Sequence, residues 1–454
     1  MRHRVTVLFR RGDTEVAASA MDSEAAALLG MPDGELTLKV VPSMSARDEA
    51  IFLLHTAAEI EHSLMVQYLY AAWSLPQDGP DRVPRWRSDI LQIAREEMGH
   101  LAAVQNLLRF IGGPLNFDRE DFPFRTDFYP FPFRLERLGR VGVARFVAAE
   151  MPAEPDVDPD LLTEVKRLAS GEGQVINRIG ALYNRLSTLF ADKQRLPDDL
   201  FRPGTAEEIQ ALPARYRADV GRGPLYLRTV RNRDEALALL ADITSQGEGE
   251  RDMPDSHFFT LLDIFDTWPT DNDTISLDVP THPNTTPAGG DIEDPDLAAG
   301  RITHPRARAW ALIFNHHYRM LLAWLQHALL TRTTAAAGTG LSLRAFAEML
   351  GLSDVGQLLT TLPRTDNNEG RAAAPFELPY SLAFPDLPED RWTYHRDLLI
   401  SAQAQLDALG AGITEAEEQT RRRLLRSIAD SEEFVAAHAH CGGPATPDAT
   451  GDKP

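Results

Sequence analysis

The chain has 454 residues, 43% of them hydrophobic and 25% charged, a composition that excludes a disordered protein. A net charge of −21 repels phosphate and argues against nucleic acid or an anionic membrane as partner. A single cysteine, Cys441, excludes an intrachain disulfide framework, and no apolar run approaches about 20 residues. With no signal-peptide pattern in residues 1–30, a cytoplasmic protein is expected.

In chain order, residues 1–45 alternate in places (Val5, Val7, Phe9; Leu36, Leu38, Val40) and read as a β-like extension. From Arg47 the pattern is helical. The spacing predicts helices over 47–75 and 86–111, joined by a polar turn at 78–84 and closed by Gly112-Gly113-Pro114. An ordered Phe/Pro/Arg-rich loop, 115–138, precedes a short helix over 140–151. Further helices are predicted over 160–192, 233–247 and 255–267. A long Pro/Asp/Thr/Gly-rich loop, 268–303, leads to a strong helix over 305–332. Helices near 341–350, 353–363, 390–411 and 413–437 follow, then a tail expected to be disordered from His438. The expected fold is all-α: a four-helix bundle over 46–332, a C-terminal helical region over 333–437 and a tail over 438–454.

The chemistry concentrates on the first two long helices. Leu54, Ala58, Glu61, Met65, Tyr68 and Ala72 are spaced three and four apart, so Glu61 interrupts an apolar stripe. A carboxylate there is costly unless it is paired or holds a cation. On the second helix Ile93, Glu97, His100, Val104 and Leu107 form the corresponding row. Glu97-x-x-His100 is the unit by which helical bundles hold two metals, although Glu96 competes with Glu97 for the inward place. A matching Glu-x-x-His on a later helix is absent. Glu248 and His257 stand nine apart with Gly249 and Pro254 between them, so one regular helix cannot carry both. A chain that leaves the helix after Glu248 and re-enters near Ser256, with Asp255 or Ser256 as cap, would let them converge. Glu150, closing a short apolar helix, is the remaining carboxylate candidate.

The blocks LHTAAEIEHSLMVQYL, REEMGHLAAVQNLLRFIGGP, FVAAEMP, SQGEGE…SHFF, FNHHYRMLLAWL and AAAPFELPY, in this order, resemble the ferritin-like part of the iminophenylpyruvate dimer synthases of violacein and indolocarbazole pathways. The similarity runs from about residue 47 to about residue 410, and the EEMGH and QGEG…SHF blocks are its most specific parts. The resemblance implies a ferritin-like bundle with an iron centre and oxidative chemistry in natural-product biosynthesis. It supports Glu61, Glu97, His100, Glu150, Glu248 and His257 as metal ligands. On that reading Glu97 and Glu248 bridge two irons, Glu61 and Glu150 are terminal, and His100 and His257 complete one iron each. Tyr68 would be a catalytic neighbour of the pair. Manganese or zinc would suit the same ligands. The substrate would be a small amino-acid-derived molecule or peptide oxidised by O2, in a chain free to form a homo-oligomer.

Non-catalytic iron binding of the ferritin type, oxidative dimerisation of imino acids, a metal-free helical scaffold and a zinc or manganese hydrolase are the competing readings. Other histidines carry weaker signals. His316-His317 reads as packing or surface, His55 and His62 as helix-surface positions beside the site, and His438, His440 and Cys441 as part of the tail. The aromatic run Phe122 to Phe133 reads as a loop anchored by its rings, and Arg421-Arg422-Arg423 as a solvated face.

Overall fold

Ser45 starts the first long helix: its hydroxyl accepts from Asp48 N at 3.1 Å, and Asp48 and Glu49 place negative charge at the positive end of the helix. The computed structural model describes residues 44–79, 82–123, 133–170, 179–201, 230–247, 256–269, 275–287, 294–331, 335–378, 384–410 and 412–439. These residues form twelve α-helices and one 3-10 turn, without a strand; two isolated β-bridges, Asn284 with Arg301 and Pro363 with Arg371, tie loops. The β-like reading of 1–45 lies outside the described residues, except that Met44 is coil and Ser45 is the helix cap.

The first helix, α1 (Ala46–Trp73), and the second, α2 (Arg82–Phe110), pack along their length as an α-hairpin. α2 begins at Arg82 and not near residue 86, because Pro84 falls in its first turn, where a missing N–H costs no hydrogen bond. Next come α3 (Arg140–Ala149), α4 (Pro159–Ser170) and α5 (Ile179–Ala191). The helix expected over 160–192 is described on both sides of residues 171–178, as α4 and α5; those residues themselves lie outside the described ones. α6 (Arg233–Gly247) and α7 (His257–Thr267) follow. α5 packs on α1 and α6, α3 packs on α4 and α7, and α7 reaches both α2 and α6. Trp86 of α2 stacks on Trp268 just after α7, with ring centroids 5.0 Å apart.

Among the described residues of the loop expected over 268–303 there is one short helix, α8 (Pro295–Gly300). α9 (Pro305–Leu330), α10 (Ala335–Leu359), α11 (Pro388–Ala408) and α12 (Glu415–Ala439) form the C-terminal layer, in which α9 packs on α10 and α11, and α12 on α10 and α11. The two helices expected at 341–350 and 353–363 are one, α10. Its glycines are used for close packing: a Cβ on Gly351 would meet Leu424 at 2.7 Å, and one on Gly356 would meet the Trp73 ring at 2.7 Å. Tertiary contact therefore outweighs the low helix propensity of glycine. α12 runs through His438, whose ring lies on Trp392, so the expected tail start is too early; His440 and Cys441 lie outside the described residues.

The C-terminal layer covers a face of α1 that the other bundle helices leave open. Trp73 stacks on Phe376 (5.7 Å, 8°), and Phe314 of α9 meets both edge-on. α1 is consequently buried all round over residues 60–66, a central helix and not a one-sided amphipathic one. His62 is buried for this reason, with its Nε2 bonded to the Tyr318 hydroxyl, which corrects the helix-surface reading. His316 and His317 are packed inside, where His317 Nδ1 lies 2.6 Å from Glu348. No helix among the described residues is long and apolar enough to cross a membrane.

Candidate metal centre

The apolar rows of α1 and α2 turn Glu61 and Glu97 toward each other. Leu54, Ala58, Met65, Tyr68 and Ala72 are buried on the Glu61 row, and Ile93, Val104 and Leu107 on the Glu97 row. The two carboxylates are 2% and 1% exposed, so neither has bulk water as its partner. His100, one turn after Glu97, points Nδ1 at Glu97 Oε2 (3.2 Å) and at Glu61 Oε2 (3.6 Å). Glu61, Glu97 and His100 thus form one buried group whose ligand atoms lie within 4.8 Å of one another.

A second group shares Glu97. α3 ends at Glu150, its C-cap, and α7 begins at His257, which follows the capping Ser256. His257 Nδ1 lies 2.9 Å from Glu97 Oε1 and 3.8 Å from Glu150 Oε2. Glu97, Glu150 and His257 also have ligand atoms within 4.8 Å of one another. The described part of α6 ends at Gly247 and α7 starts at His257; of the two candidate caps Ser256 serves, accepting from Phe259 N. Glu248 itself, with Asp255, lies outside the described residues.

Burial pushes the Glu61 carboxyl up to about 8, and the neighbouring Glu97 charge adds to this. Burial also opposes ionisation of Glu97, yet the hydrogen bond from Glu61 and the charges of His100 and His257 hold it well below the usual range. Against the cost of burial, Glu97 and its neighbours raise His100 to about 10 and His257 well above its ordinary value. Protons here take the part a cation would take, neutralising carboxylates that have no solvent.

The donor set fits a metal pair. His257 Nδ1 is fully buried and makes no aligned hydrogen bond, although it faces two carboxylates. A Cβ on Gly247 would stand 3.0 Å from Glu150 Oε2, so the absence of a side chain there leaves Glu150 its place. Oxygen and imidazole donors in these numbers suit iron, manganese or zinc.

Several neighbours carry no motif that marks them in the sequence. Tyr183 of α5 donates its hydroxyl to Glu61 Oε1. It sits in the row Ile179, Leu182, Tyr183, Leu186 and Phe190, where a tyrosine reads as core; its polar tip was the available signal. Gln246 Oε1 lies 2.8 Å from His100 Nε2. Glu96, partly exposed, accepts from His257 Nε2 at 3.0 Å, so Glu97 takes the inward place and Glu96 the outer one. Tyr68, singled out for its position on the Glu61 row, donates to Glu150 Oε1 at 2.6 Å. Burial, then the Glu150 charge, raises the Tyr68 hydroxyl well above its ordinary value; burial and Glu61 do the same to Tyr183. A small pocket of about 20 Å³, room for about one water molecule, opens on this group, lined by Glu61, Glu97, His100, Glu150 and Tyr183 with Leu64, Ile179 and Ile243.

Residues 54–266, which contain all of these side chains, match the ferritin-like family model. The chain carries a ferritin-like domain. Beyond this match, it is similar to dichlorochromopyrrolate synthase of Lentzea aerocolonigenes, 28% identical over 399 residues, covering 75% of this chain and 37% of the relative. It is also similar to 2-imino-3-(indol-3-yl)propanoate dimerase of Chromobacterium violaceum, 27% identical over 315 residues, covering 60% of this chain and 28% of the relative. The chain thus aligns with well under half the length of either. Among solved structures, a ferritin-like protein from Caulobacter vibrioides superposes with a TM-score of 0.42 at 17% identity, over 72% of this chain and 96% of that one.

Proposed function

We propose that the chain is a ferritin-like di-iron oxidoreductase that uses O2 to oxidise a small amino-acid-derived or peptide substrate in natural-product biosynthesis. The observation that carries this reading is the sharing of buried Glu97 between two ligand groups, Glu61 with His100 and Glu150 with His257. Glu97 would bridge, Glu61 and Glu150 would be terminal, and each imidazole would complete one metal through Nδ1. Glu248, which follows the cavity-lining Gly247 directly, stays in the ligand set on the sequence argument. When bound, an iron pair supplies the electrons that reduce O2 and the oxidising power for the substrate.

The chain's own groups prepare the place for that chemistry. Tyr68 and Tyr183 each hold a proton on a ligand carboxylate, at Glu150 Oε1 and Glu61 Oε1, which leaves the Oε2 atoms to face the imidazoles. Tyr183 is on the pocket wall, where its hydroxyl donates to Glu61 Oε1. Leu64, Ile179 and Ile243 supply the apolar part of the pocket wall and strengthen the electrostatics beside it. A cytoplasmic setting belongs to the same reading and rests on the single cysteine.

Metal analysis and O2 uptake test this. Protein loaded with Fe(II) without air should hold about two irons per chain, and His100→Ala should lose at least one of them. Full metal content in that variant would remove α2 as a ligand helix. Oxidative dimerisation of an aromatic imino acid is the second reading, favoured by the similarity to the Chromobacterium dimerase. A coupled dimer as product, against a monomeric oxidised product, separates the two.

A further inference from the structure

Both site imidazoles turn Nδ1 inward, and their outward Nε2 atoms meet different chemistry. His257 Nε2 meets the carboxylate of Glu96 at 3.0 Å, whereas His100 Nε2 meets the neutral amide oxygen of Gln246 at 2.8 Å. When Nδ1 holds a metal, Nε2 carries the proton and donates outward. A carboxylate acceptor makes the imidazole a stronger donor to the metal than an amide does, because the hydrogen bond is charge-assisted. Glu96 is itself held in place: Gln92 Nε2 donates to its Oε1 at 2.7 Å, and Arg95 donates to Gln92 Oε1 at 2.8 Å. The two imidazoles also differ in exposure to the pocket, although Glu97 and Glu150, which face His257, line it too. His257 is fully buried and is not among the cavity-lining residues, whereas His100 lines the cavity.

We propose that the two metal positions are unequal by construction: Glu96 behind His257 makes that position the tight one, and Gln246 behind His100 makes the other the weak and exchangeable one. This rests on the di-metal reading above. Glu96 and Gln246 are positioning residues, acting on the metals through the imidazoles. The doubled acid Glu96-Glu97 then has a division of labour, one carboxylate between the metals and its neighbour behind a ligand.

The test is titration of the full-length apo-protein with Fe(II) in the absence of air, against a chromophoric chelator. Two binding steps separated by about tenfold or more are expected. Glu96→Gln should weaken the tight step by about 10- to 100-fold and leave the other in place. Gln246→Glu should tighten the weak step, which a merely structural role would not do. Glu96 is on the partly exposed side of α2, and circular dichroism with thermal unfolding checks that both variants fold. Two irons bound with equal affinity in the parent protein, or both steps weakened alike by Glu96→Gln, would overturn the inference and leave the di-metal reading standing. A parent protein that binds no iron would remove both.

Discussion

Glu59 and Glu61 are two residues apart on α1, yet one is half-buried and the other almost wholly buried, because about 200° of helix separates their side chains. Glu61→Gln should therefore cost at least one iron, while Glu59→Gln should keep both; elemental analysis of the two proteins decides it, and the reverse pattern would misplace the site by half a turn. Tyr183→Phe removes the donor to Glu61 Oε1 without changing the packing volume much. Its metal affinity should fall by about tenfold, in the range that partners of metal ligands contribute. Unchanged affinity would make Tyr183 a plain core residue. The inward placing of Glu61 was legible from spacing, whereas on the second helix spacing left Glu96 in competition with Glu97 and burial decided for Glu97. Tyr183 and Gln246 were not legible, because each resembles its neighbours until the fold brings it to the site.

The passage from α6 to α7 shows how an interruption becomes useful. A continuous helix would place successive residues about 1.5 Å apart along one axis, and His257 would be carried away from Gly247. A fresh start at the Ser256 cap lets α7 begin at the site instead. Gly247→Ala separates stability from site geometry. Gly247 is a helical residue of α6 without a left-handed φ, where alanine is the better helix former by up to about 1 kcal/mol, but its Cβ would press on Glu150 Oε2 at 3.0 Å. The variant should melt no lower than the parent and bind metal less tightly; equal metal affinity would show that Glu150 gives way freely. Ser256→Ala should lower stability by about 1 kcal/mol through loss of the cap, measured by denaturant unfolding.

Across the molecule, neutral buried histidines outside the site contribute to the response to acid. Burial lowers His282 and His316 to about 4 and His327 to about 3, from an ordinary 6.5. The unfolded chain then binds more protons than the folded one below 6.5. The stability these groups contribute is complete above that pH and is lost as pH falls from 6.5 toward 4 and 3. The slope is at most about 1.4 kcal/mol per pH unit for each group. His327→Leu should flatten the loss of melting temperature between pH 6.5 and about 4; a slope identical to that of the parent would show that His327 is not a source of it. The contact between layers has its own check. Gly356→Ala would drive a methyl group into the Trp73 ring and should destabilise by about 1–3 kcal/mol.

The helical class, most helix positions and the inward-facing Glu61 follow from periodicity, which is local and repeats every few residues, while the choice of Glu97 over Glu96 needed the fold. Proline and glycine likewise marked an interruption before His257. What periodicity could not convey is which distant segments meet. That α3 ends, and α7 begins, beside the same face of α2 depends on packing among several helices, and it alone brings Glu150 and His257 to Glu97. The unbroken α10 and the burial of His62 have the same origin. Gly351 and Gly356 are tolerated in a helix because Leu424 and Trp73 fill the space a side chain would take, and His62 is buried because a second layer covers another side of α1. Those energies belong to contacts between residues far apart in the chain, where a local pattern carries no information about the partner.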